Sequence, residues 1–156
     1  MTLCVEAVSC AAAGPVAMLH RACFPEDPWD VDAVSEIMRV PGFIGSVGWK
    51  KDLPVGFLLA LHLGNETEIL SLGVVPDHRR TGVGSALLDA LSFEAARRAA
   101  GSLVLEVAVD NVAGRALYAA SGFSVVGCRR NYYCRAGRSI DGLILRRALA
   151  TAPPET

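Results

Sequence analysis

The chain has 156 residues, 52% of them hydrophobic and 20% charged, with 15 basic against 16 acidic side chains for a net charge of -1. That length and composition suit one domain with a real core, expected over residues 1–150, and exclude intrinsic disorder, a coiled coil or a string of modules. Near-neutral charge draws the protein to neither nucleic acid nor anionic lipid, and the longest apolar run, Val55 to Leu61, falls far short of the ~18 residues of a membrane span.

No nucleic-acid or membrane partner is therefore expected, and a monomer is the expected state. The opening Met-Thr-Leu-Cys-Val-Glu lacks a basic and then apolar secretory leader, which makes the cytoplasm the expected location. In such a compartment Cys4, Cys10, Cys23, Cys128 and Cys134 read as free thiols packed like small apolar residues. They form no C-x-x-C pair, and His20, His62 and His78 are scattered, so no metal site is expected.

Thr2 to Val8 alternates weakly as a first strand, and Ala11 to Cys23 places Val16, Leu19, His20 and Cys23 on one helical stripe. Pro25 and Pro28 break the chain before Asp30, which is suited to cap a helix from Val31 to Arg39. Phe43 to Lys50 and Val55 to Leu63 read as a hairpin around Lys51-Asp52-Leu53-Pro54, and Thr67 to Val75 follows the turn at Gly64-Asn65. A basic, glycine-bearing loop then leads into a helix with Val83, Leu87, Leu88, Leu91 and Ala95 on one side, expected to run to Ala100 and stop at Gly101. Leu103 to Val109 is a strand, Asn111 caps a helix from Val112 to Ala120 that Gly122 ends, and Ser124 to Cys134 and Ser139 to Arg147 are the last strands. Residues 151–156, with two prolines, read as a loose tail. This order predicts an α/β chain of the α+β type: a central, mostly antiparallel mixed sheet with helices on both faces.

The loop Arg79-Arg80-Thr81-Gly82-Val83-Gly84 before a helix suits an anion, because the first helical turn has free N–H groups and glycines admit phosphate oxygens. It matches neither a P-loop nor a dinucleotide fingerprint, which would need a glycine at Leu87, so a loop that merely begins a helix stays open. On the next strand Leu105 and Val107 share one face while Val104, Glu106 and Ala108 share the other. Glu106, a lone carboxylate among apolar neighbours, reads either as a general base with its pKa raised by burial or as a structural group. Tyr118 reads as core or as a proton donor, and Asn111 as a helix cap alone or as one that also touches a ligand.

Taken together these residues resemble the GNAT superfamily of acetyl-CoA-dependent N-acetyltransferases. The resemblance runs from Val8 to Leu149 and is carried by the R/Q-x-x-G-x-G/A motif at Arg79, Gly82 and Gly84. Leu105-Glu106-Val107, Asp110-Asn111, Ala116-Leu117-Tyr118, Ser121-Gly122-Phe123 and Arg129-Arg130-Asn131-Tyr132-Tyr133 are similar to the bacterial ribosomal-protein-alanine branch. Cys23-Phe24-Pro25 and Trp29 fit as well, with Glu26-Asp27-Pro28 lengthening the loop between them.

The resemblance implies the GNAT fold, about seven strands flanked by about four helices, acetyl-CoA as co-substrate and direct transfer in a ternary complex. Backbone of Leu72, Gly73 and Val74, on a strand that splays from its neighbour, would hold the acetyl-pantetheine arm. Arg79 belongs to the cofactor motif, and Arg80, Thr81, Gly82, Val83, Gly84 and Ser85 would wrap the pyrophosphate, with Asn111 also on the cofactor. Glu106 would take the amine proton and Tyr118 would protonate the departing thiolate. Phe24, Trp29, Tyr132 and Tyr133 would bind substrate, unless they only fill a core. The implied substrate is a protein N-terminus, the N-terminal alanine of a small-subunit ribosomal protein, whose basic tail would meet Glu26, Asp27 and Asp30. Another peptide, a lysine, a small cationic amine or a non-catalytic acetyl-CoA module are the alternatives.

Overall fold

The computed structural model describes residues 2–150, and the tail expected at 151–156 lies outside them. Strand β1 (Leu3–Ala7) leads through a 3₁₀ turn at Cys10–Ala12 into α1 (Ala13–Cys23) and then α2 (Val31–Met38). β2 (Phe43–Lys50), β3 (Leu53–Leu63) and β4 (Glu66–Val74) follow, then α3 (Val83–Arg97), β5 (Ser102–Ala108), α4 (Val112–Ala120), β6 (Ser124–Arg135) and β7 (Arg138–Ala148). The strands form one seven-stranded sheet in the order β1-β2-β3-β4-β5-β7-β6. β4 and β5 run parallel, and the other neighbours are antiparallel.

The elements fall in the expected order, with differences at their ends. Asp30 caps α2 by accepting from the Ala33 N–H at 2.8 Å. The first hairpin is tighter than expected: Lys50 pairs with Leu53, leaving Lys51 and Asp52 as a two-residue turn with Lys51 at φ 54°. α3 ends at Arg97 rather than Ala100, and its C-terminal turn uses Ala99 at φ 65°, not Gly101. The Ala100 N–H returns to the Ala95 carbonyl at 2.9 Å, which satisfies an orphan acceptor and seats the buried Ala100 side chain against the core.

Two apolar clusters sandwich the sheet. α3 and α4 cover one face, where Val83, Leu87, Leu88 and Leu91 meet Leu58, Leu103, Leu105 and Tyr118. α1 and α2 cover the other, where Val16, Leu19, Val34 and Met38 meet Val47, Phe57 and Leu59. β3 lies between them and is buried on both sides, so it reads as a nearly continuous apolar run. Phe57 and Leu58, fully buried in opposite clusters, contribute roughly 1.5–3 kcal/mol each by leaving water. Gly48 and Gly56 pair beneath α3, where a Cβ on Gly56 would lie 2.9 Å from Val83 Cγ1, so their bareness sets the helix-to-sheet distance. The α1–α2 cluster contains no β5 residue, which leaves that face of β5 partly open.

One irregularity shapes the centre of the sheet. β4 pairs with β5 only from Glu66 to Ile69, opposite Ser102 to Leu105. Its register against β3 shifts so that Leu59 faces Ser71 and Ala60 faces Ile69, which makes Leu70 an extra residue. A bulge of this kind bends and twists its strand, and beyond it the β5-facing edge of β4 has no sheet partner as far as Val74.

The cysteines correct one expectation. All five are free, but only Cys23 is buried, while Cys4, Cys10, Cys128 and Cys134 are exposed. Three of those lie on the two edge strands and Cys10 in the 3₁₀ turn, positions that no second layer covers. Among the described residues no helix is long and apolar enough to cross a membrane, and no three His, Cys, Asp or Glu side chains cluster as metal ligands.

Candidate active site

The β4 side of the opening between β4 and β5 carries Leu72, Gly73 and Val74. Leu72 and Val74 pack toward the α3 cluster. Gly73 turns the other way, and a Cβ there would lie 2.8 Å from both Cys23 Cβ and Phe57 Cε1. The C-terminal end of α1 therefore presses on the bare backbone of β4. Burial pushes the Cys23 thiol up to about 11, with the Arg79 charge pulling weakly the other way.

The connection from β4 to α3 passes through a 3₁₀ turn at Pro76–His78, then Arg80 at φ 62° and Gly82 at φ 88°. Gly82 is the N-cap of α3, and no side chain caps the helix, so its first-turn N–H groups stay open. Exposed Ser85 adds a hydroxyl beside them. The two glycines of the motif have different duties. A Cβ on Gly82 meets nothing within 4 Å, whereas one on Gly84 would sit 2.8 Å from Leu117 Cδ2. Gly82 thus provides the left-handed turn and an open approach, while Gly84 lets α3 and α4 touch. Arg79 leans back on the strand, its Nε donating to the Val74 carbonyl at 3.0 Å. Lys50, which sequence reasoning missed, reaches from the end of β2 and donates to Thr81 Oγ1 at 2.9 Å. Thr81 in turn donates to the His78 carbonyl at 2.6 Å, so the loop is braced from both sides.

Glu106 projects from the face of β5 that α1 and α2 leave open, as the strand alternation predicts. It is neither lone nor fully buried: its side chain is 22% exposed, and Oε1 forms an ion pair with Arg129, Nε lying 2.9 Å away. Arg129 lies two strands away, and Gly142 of β7, which pairs with both Ala108 and Arg129, has no side chain to block its path. Its guanidinium also lies 5.1 Å from the Tyr132 ring centre.

The Arg-Arg-Asn-Tyr-Tyr run forms a wide bulge, because Arg129 pairs with Gly142 and Tyr133 with Ile140, leaving three residues opposite Asp141. Asn131 takes φ 55° there, and its N–H donates to Asp141 Oδ1 at 2.8 Å. Asp141, a second residue missed from sequence, also accepts the Val109 N–H on its carbonyl at 2.9 Å, so it ties the bulge to the end of β5. Tyr132 and Tyr133 lie over bare Gly142, on the same face as Glu106. Burial first, and then the Glu106 charge, raise the Tyr133 phenol above its ordinary pKa.

Tyr118 approaches from the opposite face, inside the α3–α4 cluster and edge-on to Phe123 at 5.6 Å. Burial, with a smaller contribution from Tyr133, pushes its phenol up to about 12. Asn111 caps α4 by accepting the Gly114 N–H at 2.9 Å. Phe24 and Trp29, both half-buried, pack on the α1–α2 cluster around His20 at the end of α1. The open part of the Glu106 face is thus bounded by the 24–29 loop on one side and by the tyrosine bulge on the other.

The sheet thus opens between two parallel strands beside an uncapped helix start, with a carboxylate and a phenol on opposite faces of the sheet. The Acetyltransferase (GNAT) family matches residues 16–123, and this chain belongs to that family. It is 38% identical over 81 residues to the [Ribosomal protein bS18]-alanine N-acetyltransferase of Escherichia coli (strain K12), a match spanning 52% of this chain and 55% of that protein. A longer match, 34% identical over 128 residues and covering 78% of this chain and 77% of the relative, is to the N-alpha-acetyltransferase RimI of Mycobacterium tuberculosis (strain ATCC 25618 / H37Rv). The fold is that of the ribosomal-protein-S18-alanine N-acetyltransferase from Escherichia coli, with a TM-score of 0.89 at 22% identity over 99% of both chains.

Proposed function

We propose that this protein transfers acetyl from acetyl-CoA to a protein N-terminal α-amine, in the first place the N-terminal alanine of a small-subunit ribosomal protein. What supports the reading is that Glu106 lies on the open face of β5 and Tyr118 in the cluster behind it with Leu105 and Val107, next to the stretch where β4 loses its β5 partner. The residues fit the co-substrate: the free edge of β4 from Leu72 to Val74 offers backbone groups to a pantetheine arm. The open α3 N-terminus, with Gly82, Arg80, Thr81, Ser85 and Lys50 around it, suits a pyrophosphate.

In this reading the amine enters over the open face of β5, between Trp29 and the Tyr132–Tyr133 pair, and Glu106 accepts its proton. Nitrogen then bonds to the thioester carbon, the C–S bond breaks, and sulfur leaves toward Tyr118. A phenol near 12 opposite an ordinary thiol near 8.5 would make full proton transfer uphill by about 3.5 pKa units, roughly 5 kcal/mol. In this reading Tyr118 meets the departing sulfur first as a hydrogen-bond donor, and the proton follows to the extent that burial also raises the thiol.

The chemistry favours an α-amine over a lysine. At pH 7.5 an amine of pKa about 7.8 is one-third neutral, whereas a lysine near 10.4 is about 0.1% neutral, a difference of roughly 200- to 300-fold. The test is CoA release with two versions of one basic peptide, one with a free N-terminal alanine and one N-terminally blocked but carrying lysine. Turnover confined to the free terminus supports the reading. Turnover on the blocked peptide moves the function to lysines or small amines, and silence on both leaves an acetyl-CoA-binding module.

A further inference from the structure

The loop between α1 and α2 carries two prolines, packs Phe24 and Trp29 on the cluster beneath it, and is tied to one side chain of α1. His20 is 3% exposed, and its Nδ1 accepts the Trp29 backbone N–H at 3.0 Å. The Trp29 ring stacks on the imidazole at 4.6 Å and 15°, Phe24 packs on it at 5.0 Å, and Phe57 of β3 supports it from beneath at 5.5 Å. An Nδ1 that accepts must carry no proton, so the ring is neutral with its hydrogen on Nε2.

The geometry points to His20 as the positioning residue of the 24–29 loop: the neutral imidazole holds Phe24 and Trp29 in place as one wall of the amine groove, and protonation releases them. The inference rests on the proposed function only for what the wall does, since the tie itself stands without it. Burial opposes the charged form of His20 and lowers its pKa, while the carboxylate of Asp27, on the loop itself, opposes that shift. The other groups around the ring are apolar or engaged elsewhere. β3 contributes Phe57, α2 has Asp30 occupied as its own cap, Asp32 and Glu36 are exposed, Arg21 of α1 is exposed, and Arg79 acts on Cys23. The tie is intact above the ordinary histidine value of 6.5 and is lost as pH falls below it through the lowered folded value.

The first readout is independent of catalysis. Of the two tryptophans only Trp29 reports in a Trp49→Phe background, and its emission should change with a midpoint below pH 6.5 while far-UV circular dichroism stays constant. His20→Asn keeps an acceptor where Nδ1 was but cannot titrate, so the transition should vanish. His20→Phe keeps a ring without the acceptor and should raise KM for the alanine peptide about two- to tenfold, the worth of one hydrogen bond, with kcat and acetyl-CoA affinity unchanged. His20→Asn should lie nearer the wild type in KM. Emission that is flat with pH in the otherwise wild-type chain overturns the inference, as does a His20→Phe enzyme with unaltered KM. If no peptide is turned over, the function reading fails and the emission profile alone decides the tie.

Discussion

Gly82 and Gly84, two residues apart in one motif, should fail in different ways when each becomes alanine. At Gly82 the backbone sits at φ 88° and the new methyl meets no protein atom within 4 Å. The cost in the free protein is then the left-handed strain of an L-residue, roughly 1–2 kcal/mol, which for a chain of this size lowers Tm by about 2–4 °C per kcal/mol. The methyl instead fills the approach to the open α3 N-terminus, so acetyl-CoA affinity should fall at least about tenfold by calorimetry. At Gly84 the methyl would lie 2.8 Å from Leu117 Cδ2. Overpacking of that kind costs roughly 1–3 kcal/mol, offset by about 1 kcal/mol from the better helix propensity of alanine. Leu117 must give way, and its neighbour Tyr118 moves with it. The expected result is near-normal acetyl-CoA affinity with kcat lowered by up to about 100-fold, the cost of a misplacement near 1 Å. Normal cofactor binding by Gly82→Ala would refute the phosphate placement. Equal losses of affinity in both variants, with kcat intact in Gly84→Ala, would refute the division of duties.

Glu106→Gln should lower turnover by about 10²–10⁴, most at low pH where more of the amine is protonated, with acetyl-CoA affinity unchanged; a matching loss of affinity by calorimetry would make Glu106 structural. Tyr118→Phe should also lose turnover without losing affinity, and unchanged turnover sinks the acid role. Asn111→Asp keeps a good helix cap, so Tm should hold, while its new charge should weaken acetyl-CoA binding if Asn111 touches the cofactor; unaltered binding leaves it a cap alone. Glu94 is held at about 2 by its hydrogen bonds to Arg97 and Arg98. Its pKa is depressed, so its stabilisation is present above the unfolded value near 4.5 and lost as pH falls toward 2. Arg97 is exposed and Glu94 and Arg98 are only half-buried, so solvent screening limits the effect of Glu94→Gln to about 0.5–1 kcal/mol at pH 7 in urea melts, vanishing near pH 2.

What could be read ahead of the structure was whatever lies within one element. Period-two alternation put Glu106 on a different face from Leu105 and Val107, and that is where it lies, because β5 is straight and paired on both sides up to Leu105. Caps at Asp30 and Asn111 follow from side chains acting three residues away. What escaped depends on distant pairing. Arg129 reaches Glu106 only because Gly142 of β7 intervenes, and Lys50 reaches Thr81 across 31 residues. Gly84 has the same letter as Gly82, and only the approach of Leu117 from α4 gives it a packing duty. The exposed cysteines were misjudged because general burial preference says nothing about which strands lie at a sheet edge.

The bulge at Leu70 links these local facts to the reaction proposed. Without it β4 would continue its ladder with β5; with it, that edge of β4 from Leu72 to Val74 carries no β5 partner, and of its groups the Val74 carbonyl is taken by Arg79. With it, the sheet opens where β5 carries Glu106, so a thioester lying in the gap would expose its carbon to the α1 side and its sulfur to the α4 side. In the proposed reaction the proton acceptor and the proton donor would then be separated by the sheet itself, on the side from which nitrogen arrives and the side toward which sulfur leaves. In that reaction the separation would let Tyr118 stay buried while Glu106, paired with Arg129 and partly exposed, stays within reach of a protein chain too large to enter the core.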